Sequence, residues 1–273
     1  MRDDDGTPPA GGDTDDRAAA GLAIREPPLV VVPVRVLEGD TLSEALVSFL
    51  APARVVVVGY HVLPEQTPAE QASMQFEERA RAAVDDIAAA FADAGGHPDT
   101  RVVFTHDRDV TIERVAAEVG ATATLLPNPT GTVSEVLVPV RGAIDGDRLA
   151  DLVGTLVADG SARVTLWGLS PEGSAFDAAA AVADAADRLR RRGVAAARIV
   201  TETATSDAPI RDIVARSVDA DVVVMGEGDD SLFGVLFGDD AERVAEGSVA
   251  PVLVVRKRDA DAGSAGADAD GGE

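Results

Sequence analysis

Residues 219–258 read DADVVVMGEGDDSLFGVLFGDDAERVAEGSVAPVLVVRKR. A Val run at 221–225 leads into a loop carrying Gly226, Gly228, Gly234 and Gly238. A helix-length stretch at 239–247 follows, then a second Val run, 251–256, opened by Pro251. Two short β-branched runs joined by a glycine-rich turn and a helical crossover form a βαβ unit, which makes the strands parallel. Working upstream, the same alternation continues. Strand 135–141 is followed by helix 147–158, strand 163–168, helix 175–193, strand 198–203 and helix 208–218. Ser206 or Asp207 is expected to cap the last of these helices, with Pro209 in its first turn, where a missing N–H costs little. Trp167 and Met225 end strands and are expected to pack in the core.

The first half repeats this order. Strand 29–36 (LVVVPVRV) is followed by helix 41–51, strand 54–60, helix 69–95, strand 101–105, helix 109–119 and strand 121–126. Thr41 and Glu44 have capping-box spacing ahead of the first helix, and Gly95-Gly96 ends the long one. Val-Pro-Val-Arg stands at 32–35 and again at 138–141, each time closing a first strand. Acidic capping segments precede both third helices, in HDRDVTIERVAAEV and TSDAPIRDIVARSV. Two matches in the same order around the same elements argue for duplication. After strand 121–126, however, the first half passes through Pro127-Asn128-Pro129-Thr130-Gly131 straight into the second. It lacks the glycine loop and the fifth strand. The expected architecture is α/β: two Rossmann-like, doubly wound parallel-sheet repeats of the HUP type, at 28–130 and 131–258. Acidic low-complexity tails at 1–27 and 259–273 flank them and are expected to be disordered.

Of the 273 residues, 46% are hydrophobic but only 3% aromatic, which suits Val-rich parallel strands under Ala-rich helices. The chain has no cysteine, which excludes disulfides, thiolate metal sites and Cys nucleophiles. His61, His97 and His106 share no ligand spacing, so no metal site is expected from them. Lys plus Arg number 24 against 48 Asp plus Glu, a net charge of −24 that disfavours nucleic acid and anionic membrane as partners. Lys257 is the only lysine. A folded chain with this balance resembles the cytoplasmic proteins of salt-in halophiles. No run approaches the roughly 20 apolar residues of a membrane span, and the N-terminus lacks the order of a signal peptide, so a cytoplasmic location is expected.

Open parallel sheets bind ligands at the carboxyl ends of their strands, where strand order reverses. In the second half that position brings together Val138, Pro139, Val140 and Arg141 with Met225 and the loop from Gly226. A glycine loop opening a helix can present N–H groups to phosphate. The Met-Gly strand end, the glycine loop and the final P-V-L-V-V strand together resemble the C-terminal signature of the universal stress protein family. Both V-P-V-R segments resemble that family's V-P-V-D start. The resemblance covers about residues 29–258 and is strongest over 208–258.

The resemblance implies an adenine nucleotide such as ATP, with phosphates on Gly226, Gly228 and Gly238, and adenine flanked by Val138, Pro139 and Val140. Two positions depart from the family: Arg141 stands where an Asp is expected, and Asp239 where a Ser or Thr is. Asp229, Asp230, Asp239 and Asp240 would surround the phosphates. Each carboxylate about 5 Å from a phosphate charge opposes it by ~1 kcal/mol, which Mg²⁺ or concentrated K⁺ would offset.

Neither G-x-S-x-G nor a P-loop nor H-E-x-x-H is present, so no enzyme is expected. The expected function is a regulatory stress-response binding protein. The alternative is a scaffold that binds no nucleotide and docks a regulatory partner such as a transporter. Arg35 and Arg141 either bind an anion at the strand ends or salt-bridge a nearby helix. The last strand, 251–256, reads as an apolar edge without a counterpart in the first half, and so as the seam of a homodimer.

Overall fold

The computed structural model describes residues 24–142, 144–226 and 250–257. Gly228, Gly238, Asp239 and the helix expected at 239–247 lie outside the described residues. The first half contributes β1 (Leu29–Arg35), α1 (Glu44–Leu50), β2 (Arg54–Val62), α2 (Ala69–Asp93), β3 (Pro98–Thr105), α3 (Arg108–Glu118) and β4 (Ala123–Leu126). The second contributes β5 (Glu135–Val140), α4 (Gly146–Leu156), β6 (Arg163–Ser170), α5 (Ala178–Arg191), β7 (Ile199–Thr205), α6 (Pro209–Arg216), β8 (Val222–Gly226) and β9 (Val252–Val255).

The strands form one nine-stranded sheet in the order β3-β2-β1-β4-β9-β8-β5-β6-β7. Pairings within the first half are parallel, as are those from β5 to β9. The halves meet at an antiparallel β4–β9 pairing, Ala123 opposite Val255 and Leu126 opposite Val252. The two sets of strands therefore run in opposite directions, and β4 has no fifth strand of its own beside it. It borrows β9.

That arrangement corrects the dimer expectation. The strand at 251–256 is not an edge: β8 occupies one side and β4 the other, within one chain. No N–H or C=O row is left on β9 for a second copy to pair with, so a homodimer seam along that strand is not available.

The duplicated segments pair with their neighbours in the same register. Pro33 pairs with Val58 and Val34 with Gly59, while Pro139 pairs with Trp167 and Val140 with Gly168. Each of these glycines lets a helix press onto the sheet. A Cβ on Gly59 would come within 2.2 Å of the Val84 methyl on α2, and one on Gly168 within 2.8 Å of the Ala178 carbonyl at the start of α5.

Helices cover both faces. On one face α1, α2, α4 and α5 bury a continuous core that includes Val32, Val57, Val138 and Leu166. On the other, α3 covers Val31, Val56 and Val58, and Ile213 of α6 packs with Leu137 and Trp167.

The capping residues differ in part from expectation. Ser43, not Thr41, caps α1 and accepts from the Leu46 N–H at 3.3 Å. Thr41 lies too far upstream, because the helix starts only at Glu44. Neither Ser206 nor Asp207 is the N-cap of α6, which is Ala208 with no side-chain bond. The Ser206 hydroxyl instead accepts from the Ala208 N–H at 3.1 Å and donates to Asp212. Asp107, Asp145 and Asp177 cap α3, α4 and α5 as acceptors. Gly95, at φ +86°, ends α2 as expected.

Polar contacts join the halves, as where the Asn128 amide donates to the Ala250 carbonyl at 3.2 Å, and others brace the second half itself. The Asp221 carboxylate accepts from the N–H groups of Ser134 and Glu135 and from the Ser134 hydroxyl. Burial alone would raise its pKa, but these bonds outweigh it and hold it below the usual carboxylate range. Residues 24–26, expected to belong to a disordered tail, lie against α4. The N–H groups of Arg25 and Glu26 each donate to Asp151 at 3.2 Å.

Candidate functional site

Strand order in the second half reverses between β5 and β8, and the carboxyl ends of these strands lie side by side. On β5 the side chains of Val138 and Val140 face inward, both among the core residues under α4 and α5. They give the strand its position; the contact surface comes after them, at Arg141 and Gly142. Gly142 has φ +77°, a left-handed turn that releases the chain toward α4. Met225 is buried against Leu126 and Val254, so its side chain is core, as expected. Gly226 needs its missing side chain: a Cβ there would sit 2.7 Å from the Ile144 Cγ2. Of the nine residues the sequence singles out for the site, Val138, Pro139, Val140, Arg141, Met225 and Gly226 are thus brought to one pair of strand ends.

The two duplicated arginines have different surroundings. Arg35 donates from Nε to Asp40 at 2.9 Å and pairs with Glu38 at 3.2 Å. The Asp40 hydrogen bond outweighs partial burial and raises the Arg35 pKa further. These partners belong to the loop after β1 and not to a helix. A cleft of 240 Å³ lies beside them, lined by Asp40, Thr41, Pro127 and Asn128. Arg141, half-buried, makes no hydrogen bond or ion pair among the described residues.

Arg148, on the first turn of α4, was not legible as part of this region. Its guanidinium is buried and donates to the carbonyls of Ala121 at 3.0 Å, Arg256 at 3.2 Å and Lys257 at 3.3 Å. It thereby fixes the end of β9 and the start of β4 beside the second half's strand ends. Next to it, Asp147 is bonded by Arg192 and Arg188. Burial would raise the Asp147 pKa; the two arginine hydrogen bonds, with the Arg188 and Arg25 charges, bring it down to about 2. Among the described residues no three His, Asp or Glu side chains gather in a metal-holding group. His61 lies between Phe76 and Phe104, with ring centroids 6.2 and 6.4 Å away.

Residues 135–256 match the universal stress protein family. The match starts at the first residue of β5 and ends one residue past β9, so it spans the second half and its borrowed seam. Among solved structures, a universal stress protein from Archaeoglobus fulgidus DSM 4304 aligns over 85% of this chain and 97% of its own, at 14% identity and TM-score 0.56. That likeness extends the universal stress protein fold across both halves. A universal stress protein solved in complex with cAMP is 28% identical over 46% of this chain and 98% of its own, with TM-score 0.36. A functionally unknown protein from Pseudomonas aeruginosa PAO1 is 17% identical over 86% of this chain and 93% of its own, with TM-score 0.42. No curated protein matches the chain. No helix among the described residues is long and apolar enough to cross a membrane.

Proposed function

We propose that this chain is a regulatory binding protein of the universal stress protein type, without catalytic function, and that it takes an adenine nucleotide at the strand ends of its second half. The observation that carries the reading is the contrast between the two arginines. In the half that matches the family, Arg141 has no partner among the described residues and stands at the switch point with Gly226. In the other half, Arg35 is already neutralised by Asp40 and Glu38. A guanidinium on a switch-point strand end suits a phosphate, which it can bind through two parallel N–H bonds. The first half therefore scaffolds and the second half binds.

Calorimetry of ATP and AMP, in about 2 M KCl with Mg²⁺ to screen the acidic loop, tests this. Wild type should bind, Arg141→Ala should weaken binding by about 1.5–3 kcal/mol, and Asp239→Ser should tighten it by ~1 kcal/mol. Heat from neither wild type nor Asp239→Ser would overturn the nucleotide reading. Binding that Asp239→Ser weakens would show the aspartate holding a cation against the phosphates, reversing the sign of its expected effect.

A further inference from the structure

The duplication exposes a position the fold does not require. Pro33 faces Val58 across β1 and β2, and at the matching place Pro139 faces Trp167 across β5 and β6. In the first half Val58 is fully buried, in the cluster that contains Ile112 and Val115 of α3. A valine under a helix is all the sheet needs there. The second half instead carries the chain's only tryptophan. Its covering helix, α6, runs for 8 residues where α3 runs for 11. Beneath α6 a cleft of 470 Å³ opens, lined by Trp167, Leu137, Glu135, Asp212, Arg216 and Asp219.

The cleft already seats a cation. The Arg216 guanidinium carbon lies 4.7 Å from the centre of the Trp167 ring, within the range at which the negative ring face attracts a positive charge. Arg216 is also bonded to Glu202. A count of the remaining charges gives the cleft its sign. Glu135 is neutralised by Arg163 at 3.0 Å. Asp212 accepts the Ser206 hydroxyl but has no cationic partner among the described residues, and Asp219 makes no hydrogen bond or ion pair among them. Two carboxylates are thus left over around an aromatic floor.

We propose that this cleft binds a small organic cation of the guanidinium or alkylammonium class, which takes the face of Trp167 from Arg216. Its charge is balanced by Asp212 and Asp219, and its alkyl part lies on Leu137. Arg216 acts as an internal competitor: it keeps the ring covered when the cation is scarce. On β5 the cleft is lined by Glu135 and Leu137, and neither Arg141 nor Gly226, which carry the nucleotide reading, is among its lining residues, so the proposal stands or falls independently of that reading.

Trp167 reports on the cleft directly, since no other tryptophan contributes to the emission. Its fluorescence is titrated with agmatine at fixed ionic strength, in the full chain, with KCl and butylurea as charged and uncharged controls. A saturable change with agmatine alone is expected. Arg216→Ala removes the competitor and should tighten binding about tenfold, whereas Asp212→Asn combined with Asp219→Asn should weaken it by at least as much. Should Arg216→Ala lose its cooperative melt, Arg216→Gln keeps the side-chain length and serves instead. No saturable change in either wild type or the Arg216 variant would overturn the proposal. So would an equal response to butylurea, or binding that ignores the double Asp→Asn change.

Discussion

Asp151 is 1% exposed and accepts from the N–H groups of Arg25 and Glu26 and from Arg192 Nε at 2.8 Å. Arg192 is equally enclosed at 2% and shares Asp147 with Arg188. Removing one partner of such a pair leaves the other charged and buried, which costs about 3–5 kcal/mol. Asp151→Ala should destabilise the protein by that amount in urea denaturation, with refolding to check reversibility. Asp187→Ala, which removes the exposed pair with Arg190, should cost under about 1 kcal/mol. Equal effects would show that the buried network contributes no more than surface charge. None of this was legible beforehand: with 48 carboxylates in the chain, nothing in the letters separates Asp151 from its solvated neighbours. Arg35 and Arg141 were legible as a pair, because Val-Pro-Val-Arg repeats. Which of them is neutralised depends on Asp40, a short-loop contact that the repeat does not encode.

The strands were legible as elements for a simple reason. Val-rich runs of strand length, separated by Ala-rich helical stretches, have one common solution in water, a parallel sheet with helices on both faces. Helix ends were less legible, as at α1, where Ser43 and Thr41 both have capping chemistry and only the backbone path chooses between them. The second neighbour of β9 was not legible at all. Its pairing with β4 joins residues 123–126 to 252–255, and no local pattern marks an antiparallel seam between two parallel halves. Leu253 sits in that seam, fully buried and opposite Leu125. Leu253→Asp puts a carboxylate among apolar side chains with no cation to meet it. Because β9 bonds both halves, the variant should unfold both together. Tyr60, the only tyrosine, reports on the first half, and Trp167 on the second. Their urea midpoints should fall by the same amount. A shift confined to Trp167 would mean that β4 holds its half together without β9.

At the scale of the molecule, the missing fifth strand of the first half and the surplus edge of the second are one feature seen from two sides. A complete βαβ half has an apolar final strand whose outer side must be paired or covered. Here β4 of the same chain fills that place, and Arg148 and Asp151 fasten the two halves around it. The seam that would join two copies is thereby spent inside one. The prediction concerns what happens when the first half is taken away. A chain limited to residues 131–258 would expose the side of β9 that Ala123–Leu126 covers, and the geometry already accepts an antiparallel partner there. The shortened chain should therefore dimerise through β9 against β9, with a mass by light scattering that doubles as concentration rises. Val252→Asp should return it to monomer, since each copy would set a carboxylate opposite the apolar Val255 of the other in a short antiparallel seam. In the full chain the same substitution should lower stability and leave the mass unchanged. A half-chain that stays folded and monomeric at every concentration would show that an open β9 edge tolerates water, and that β4 is a convenience of the fold and not a requirement.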